Sequence, residues 1–422
     1  MYYLIESIEQ LEQFYRHNYK EVFMEIIPFN NHVHPTQNDI SLIYVRPCEE
    51  TKGFMLCIQH SETLSIALNL ALKALKTYDK IYVRDKKEAL HYLSLKNLWD
   101  INISPKPIQL SATIAHDIFY KKHGNLPDIN KIIPISKHYE VCEKLYEDLK
   151  NNIKEEYTKY EQFFNSKVAV VFSAIERSGL RVQPELFGKY FHDIDGEYTF
   201  TQFNLKTTTT RPANKFGGVN YAALNKENGC RASFIPSNDL LVEMDISAYH
   251  PTILSSLIGY HFEGDIHQQL ADLYGVSYEE GKQITFRQLY GGVYKQYKHL
   301  EFFFKVEKYV EELWQKFNKE GYIECPISHY IFQKDELEDM NPQKLSNYLL
   351  QALESSLNTL ILWEIFKILI NRNTKLIHYV YDSFLFDFDE DEIEIFNNIE
   401  KIFENYNLKI KVKRGKNYQD MK

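Results

Sequence analysis

Cysteine is scarce in this chain of 422 residues: Cys48, Cys57, Cys142, Cys230 and Cys325 are all it has. None forms a C-x-x-C pair and none stands at zinc spacing from a histidine. That argues against a zinc module and for reduced thiols in a cytoplasmic protein. No apolar run approaches the length of a membrane span, so no membrane partner is expected. The opening stretch "MYYLIESIEQLEQFY" carries acids where a secretory signal needs basic residues and an apolar run. Internal repeats and low-complexity linkers are also missing. So is an excess of positive charge: the formal net charge is -9. Any hold on a polyanion must therefore come from local basic patches.

What is present is ordinary globular composition, 44% hydrophobic and 25% charged, with length for two or three domains. Up to about residue 120 the pattern alternates. "VFMEII", "ISLIYVRP", "GFMLCIQH" and "KIYVRD" read as strands, "ETLSIALNLALKALK" and "KKEALHYLSLK" as helices, which together make an α/β layer. Residues 137–178 read as charged helix, stopped at Gly179. The loop-like "TTTTRPANKFGG" follows. Between 201 and 235, Lys206, Arg211, Lys215, Lys226 and Arg231 face Glu227 alone, a basic patch in an acidic chain. "DLLVEMDISAYHPTILSSLIGY" reads as a strand ending near Asp245 and a helix entered at Pro251. "LIHYVYDSFLFDF" reads as a hairpin around Asp382. "NLKIKVKRG" alternates apolar residues with Lys409, Lys411 and Lys413, as a half-buried strand with a basic face does.

Asp245 and Asp382 each end or interrupt a strongly apolar strand, which is costly for a carboxylate without a partner or a metal. Side by side they could hold two Mg²⁺ ions for an in-line displacement. Either one alone reads better as a turn aspartate. In "KQITFRQLYGG", Lys282, Phe286 and Tyr290 recur every four residues and so share one helix face. A cation followed by two rings suits a triphosphate followed by a base.

These segments, in this order, resemble family A DNA polymerases in their compact bacteriophage form, over roughly residues 165–422. "AIERSGLRV" is similar to the helix ahead of the thumb and "TTTTRP" to the T-x-T-x-R element. "NYAALNKENGCRASFI" is similar to the lead into the first metal strand, and "EMDISAYHP" to motif A. "GDIH" matches the family's DIH element, "KQITFRQLYGG" motif B, and "VYDSFLFDF" motif C. "GYIE", "NYLLQ" and "GKNY" match later elements. The resemblance implies a right-hand palm, fingers and thumb of α/β and α+β class. It implies Asp245, Asp382 and the Ile246 carbonyl as ligands of two Mg²⁺ ions, with Mn²⁺ as a substitute. It further implies Tyr249, His250, His267, Lys282, Phe286 and Tyr290 at the nucleotide. Arg211, Asn220, Arg231, Asn347 and Gln351 would contact primer–template DNA. The reaction implied is addition of deoxynucleotides to a primer 3′ end, in phage replication or gap filling, with dNTPs as substrates. A processivity factor, a primase or a helicase would be the accessory partners.

Four departures stand out. Tyr278 replaces an arginine four residues before Lys282. Ser383 replaces a glutamate after Asp382. His250, beside Tyr249, replaces the glutamate that excludes ribose. Between Gly179 and Thr207 there is little room for a thumb hairpin, which implies a weak grip on duplex DNA. The expected layout is a degenerate 3′–5′ exonuclease-like, ribonuclease-H-like domain over 1–125 and a polymerase domain over 126–422. Within the latter, the reduced thumb would span about 137–206, the palm about 207–250 and 345–422, and the short fingers about 251–344. An exonuclease site would open with Asp-x-Glu, and here Phe23, Met24 and Glu25 stand there, with Asp85 and Asp117 near later carboxylate positions. No proofreading is therefore expected. A single-subunit RNA-polymerase-like enzyme and an inactive nucleic-acid-binding relative are the alternatives.

Overall fold

The computed structural model describes residues 3–105, 121–122, 124, 126–215 and 219–422. Asp117 lies outside them. The chain forms two compact units, Met1–Arg177 and Ser178–Lys422.

The first unit is built on a mixed six-stranded sheet. Its strands are β1 (Tyr3–Ile5), β2 (Glu21–Pro28), β3 (Ile40–Pro47), β4 (Phe54–Cys57), β5 (Lys80–Val83) and β6 (Leu98–Asp100), in the order β1-β4-β3-β2-β5-β6. β2, β3 and β4 run antiparallel in succession, and β5 and β6 continue parallel from β2. Alternate side chains enter two cores, Val22 and Met24 one, Phe23 the other. β3 is buried at every position because both faces are covered, hence its unbroken apolar run. The helix Ile135–Leu149, expected in the thumb, instead lays Ile135, Leu145, Tyr146 and Leu149 on the Phe23 face. The boundary between compact units thus falls at Arg177, later than the 125 read from sequence. The helix expected over 62–76 forms only over Leu68–Leu75.

The second unit carries a four-stranded antiparallel sheet of β7 (Leu240–Ile246), β8 (Lys375–Val380), β9 (Ser383–Phe388) and β10 (Ile410–Gly415), ordered β8-β9-β7-β10. The 27-residue helix Pro342–Ile368 packs beside it and, unusually, buries Glu354, Ser355, Asn358 and Thr359. The helices Ile266–Tyr274 and Tyr278–Gly291 form a tight hairpin through Gly275, whose φ is +72°. Between Gly179 and Thr207 the only helix is Pro184–Tyr190. No helix among the described residues is long and apolar enough to cross a membrane.

Candidate active site

β7 and the β8–β9 turn bring the two aspartates together. Asp245 pairs in register with Ser383 on one side and Lys411 on the other. The Ile246 amide donates to the Asp382 carbonyl at 2.9 Å, which locks the turn to the strand end. Tyr381, next to Asp382, and Ala248, at the entry to the helix Tyr249–Leu257, are in the left-handed region, at φ +54° and +48°. For residues with a Cβ this conformation costs on the order of 1–2 kcal/mol, so neighbours must hold it. At Tyr381 they do: Asn358 Nδ2 donates to its carbonyl at 2.7 Å and the Arg211 guanidinium lies 3.7 Å from its ring centre.

Burial and the neighbouring Asp245 raise the Asp382 carboxyl to about 6. Burial, then Glu243, also raises Asp245. Two carboxylates that resist ionising beside each other are a donor set short of positive charge. The set fits Mg²⁺, which binds through one or two carboxylates, keeps waters and completes its shell with substrate phosphates. Ile246 lines the same cleft. Among the described residues, no group of three or more His, Cys, Asp or Glu forms a self-sufficient metal cage.

A cleft of about 610 Å³ opens over these residues. It is lined by Asp245, Ile246 and Asp382, by Arg211, Tyr249 and His250, and by His267, Lys282, Phe286 and Tyr290. The helix row reads as expected: Phe286 and Tyr290 lie parallel, 2° apart in plane with centres 6.1 Å apart. His267 packs on Phe286, and burial together with Lys282 lowers its pKa. Its Nδ1 is buried without a hydrogen-bond partner. Tyr249 is committed elsewhere, its hydroxyl donating to Asn358 Oδ1 at 2.7 Å. Asn347 and Gln351 line an adjoining groove that shares Tyr290. Asn347 Nδ2 donates to the Tyr290 carbonyl, and Thr209 donates to Gln351.

Two expected DNA contacts do not line the cleft. Arg231 donates to the Leu224 carbonyl and lies over the Tyr418 ring, and Asn220 precedes the short turn Tyr221–Ala223 without a side-chain bond to it. Conversely, four lining or supporting residues were not singled out from sequence. Lys409 and Lys411 line the cleft, on the basic strand face that had been noticed but not connected to it. Glu354 lines it too, as a buried acid in the helix Pro342–Ile368. Glu243 stands two residues before Asp245 on β7, opposite Leu385. It accepts from Ser383 Oγ, Tyr418 and Lys413 at 3.0, 3.0 and 3.1 Å.

No protein-family model and no curated protein matches the sequence. Among solved structures, the chain is similar to the POL domain of Pol1 from M. smegmatis, solved in complex with DNA primer-template and dNTP. The superposition covers 99% of each chain with a TM-score of 0.66 at 12% identity, a likeness of fold.

Proposed function

We propose that this chain is a template-directed DNA polymerase. The observation that carries the reading is the convergence, in one cleft of a polymerase-domain fold, of Asp245, Asp382, Lys282, Phe286 and Tyr290. Magnesium bound by the two carboxylates and the Ile246 carbonyl would supply the Lewis acidity that in-line phosphoryl transfer needs. Lys282 and His267 donate to the polyphosphate. Lys409 and Lys411, which also line the cleft, supply the positive charge that Tyr278 cannot. Phe286 and Tyr290 offer ring faces to the base. His250 stands over the sugar in place of a glutamate. Bulk is enough to exclude a 2′-hydroxyl, and an imidazole held by Tyr290 at 2.5 Å provides it.

Absence of proofreading belongs to the same reading and is supported by the first unit's side chains. Phe23, where the first acid of a two-metal site would be, is sealed among Tyr44 and Tyr146. Glu25 is held by Arg84 at 2.8 Å, and Asp85 caps the helix Lys86–Tyr92.

Primer extension with Mg²⁺ and dNTPs tests the proposal. The wild type should extend a primer, and Asp245→Ala and Asp382→Ala should each reduce addition at least a thousand-fold while duplex binding persists. Near-normal extension by either variant would exclude it.

A further inference from the structure

Glu354 is buried to 1% exposure, yet it lies in the cleft wall with both oxygens engaged. Oε2 meets His250 Nε2 at 2.7 Å and Oε1 meets an Arg211 nitrogen at 3.0 Å. On the other side of the imidazole, His250 Nδ1 meets the Tyr290 hydroxyl at 2.5 Å. One chain of contacts thus runs from Tyr290 on the fingers-side helix through His250 to Glu354 on Pro342–Ile368, then to Arg211 in the threonine loop.

The chemistry fixes each link. A ring nitrogen facing a carboxylate carries the proton and donates it. The opposite nitrogen then accepts from Tyr290. An imidazole on its own spins about two torsions and blocks nothing reliably. Pinned at both nitrogens, it presents one edge to the cleft. A carboxylate is the group that can hold such a ring and an arginine at once, because it offers two acceptor oxygens at fixed separation.

Resting on the polymerase reading, we propose that Glu354 is a positioning residue for sugar discrimination, acting through His250. In this chain the gate's carboxylate has moved from the motif A helix to the palm helix, and a histidine fills the space between. Glutamine at 354 keeps the shape but loses the charge, and its amide can face His250 and Arg211 together only if the imidazole changes tautomer. Alanine serves neither and leaves an arginine short of its counter-charge.

The test is the ratio of kcat/KM for a ribonucleotide to that for the matching deoxynucleotide. The active fraction cancels in this ratio, so a partly misfolded variant still reports on it. Glu354→Ala should raise the ratio at least about ten-fold, and Glu354→Gln by less, the scale of one charge-assisted hydrogen bond. His250→Ala should raise it as well, and adding Glu354→Ala to His250→Ala should raise it no further. Wild-type selectivity in Glu354→Ala, or full additivity in the double variant, would overturn the proposal. A wild type that adds no nucleotide would instead sink the polymerase reading itself, so the two failures are told apart.

Discussion

Asp382→Asn should make the metal-free protein more stable. The wild-type carboxyl is raised from 3.8 to about 6 by burial and by Asp245. A group whose folded pKa exceeds its unfolded value opposes folding wherever it must be ionised. The penalty is absent below about pH 4, where the carboxyl is protonated in both states. It grows through the window between about 4 and 6 and is fully present above it. Two pKa units correspond to about 3 kcal/mol at most. Because Asp382 is only partly buried, we expect about 1–2 kcal/mol. The asparagine keeps the size and an acceptor oxygen, and the Ile246 bond goes to the backbone carbonyl, so no contact is lost with the charge. Urea unfolding in a chelating buffer at pH 8 should give a higher midpoint for the variant, and at pH 4 the two curves should meet. Added Mg²⁺ should stabilise the wild type more than the variant, since only the wild type keeps both charged ligands. A variant less stable at pH 8, or a gap widest at pH 4, would refute the account of two carboxylates held against their repulsion.

Gly281→Ala should destabilise the second unit by about 1–3 kcal/mol, because a Cβ there would sit 2.6 Å from the Ala271 Cβ; thermal unfolding reads the shift. Lys411→Ala should raise KM for dNTPs roughly five-fold with a smaller change in kcat, about 1 kcal/mol for a partly solvated charge pair; steady-state kinetics on a short template checks it. A mismatched, 3′-labelled primer incubated with protein and Mg²⁺ without nucleotides should keep its terminal nucleotide; release that survives Asp382→Ala and is lost in Glu25→Ala would contradict the reading of the first unit.

Strands were the most legible part of the chain. β3 was bounded correctly because both of its faces are apolar and proline ends it. The row Lys282, Phe286 and Tyr290 was legible because helical spacing alone aligns it. The helix Ile135–Leu149 was placed with the wrong neighbours in mind, since its amphipathic pattern says that it packs, not on what. Glu354 escaped notice for a related reason. Glu354 is one of two acids in its helix, with Glu364, and its partners His250 and Arg211 are distant along the chain. Arg231 shows the other side of this: its charge is visible in sequence, while its contacts with the Leu224 carbonyl and the Tyr418 ring are visible only in the fold.

The helix pair 266–274 and 278–291 is interlocked along its length. Gly281 lets Ala271 approach closely, Tyr274 meets Thr285 at 3.1 Å, and Gln288 donates to Tyr274 at 3.2 Å. Such a pair has no soft joint of its own. His267 and Lys282 therefore behave as two teeth of one jaw, at a spacing that substrate cannot adjust. Any change in the width of the cleft on that side must be taken up where the pair joins the rest of the unit. Both junctions carry a glycine with strongly positive φ, Gly264 at +99° and Gly292 at +97°, and a Cβ at either would meet nothing closer than 3.4 Å. It is backbone torsion, not crowding, that reserves these two positions for glycine.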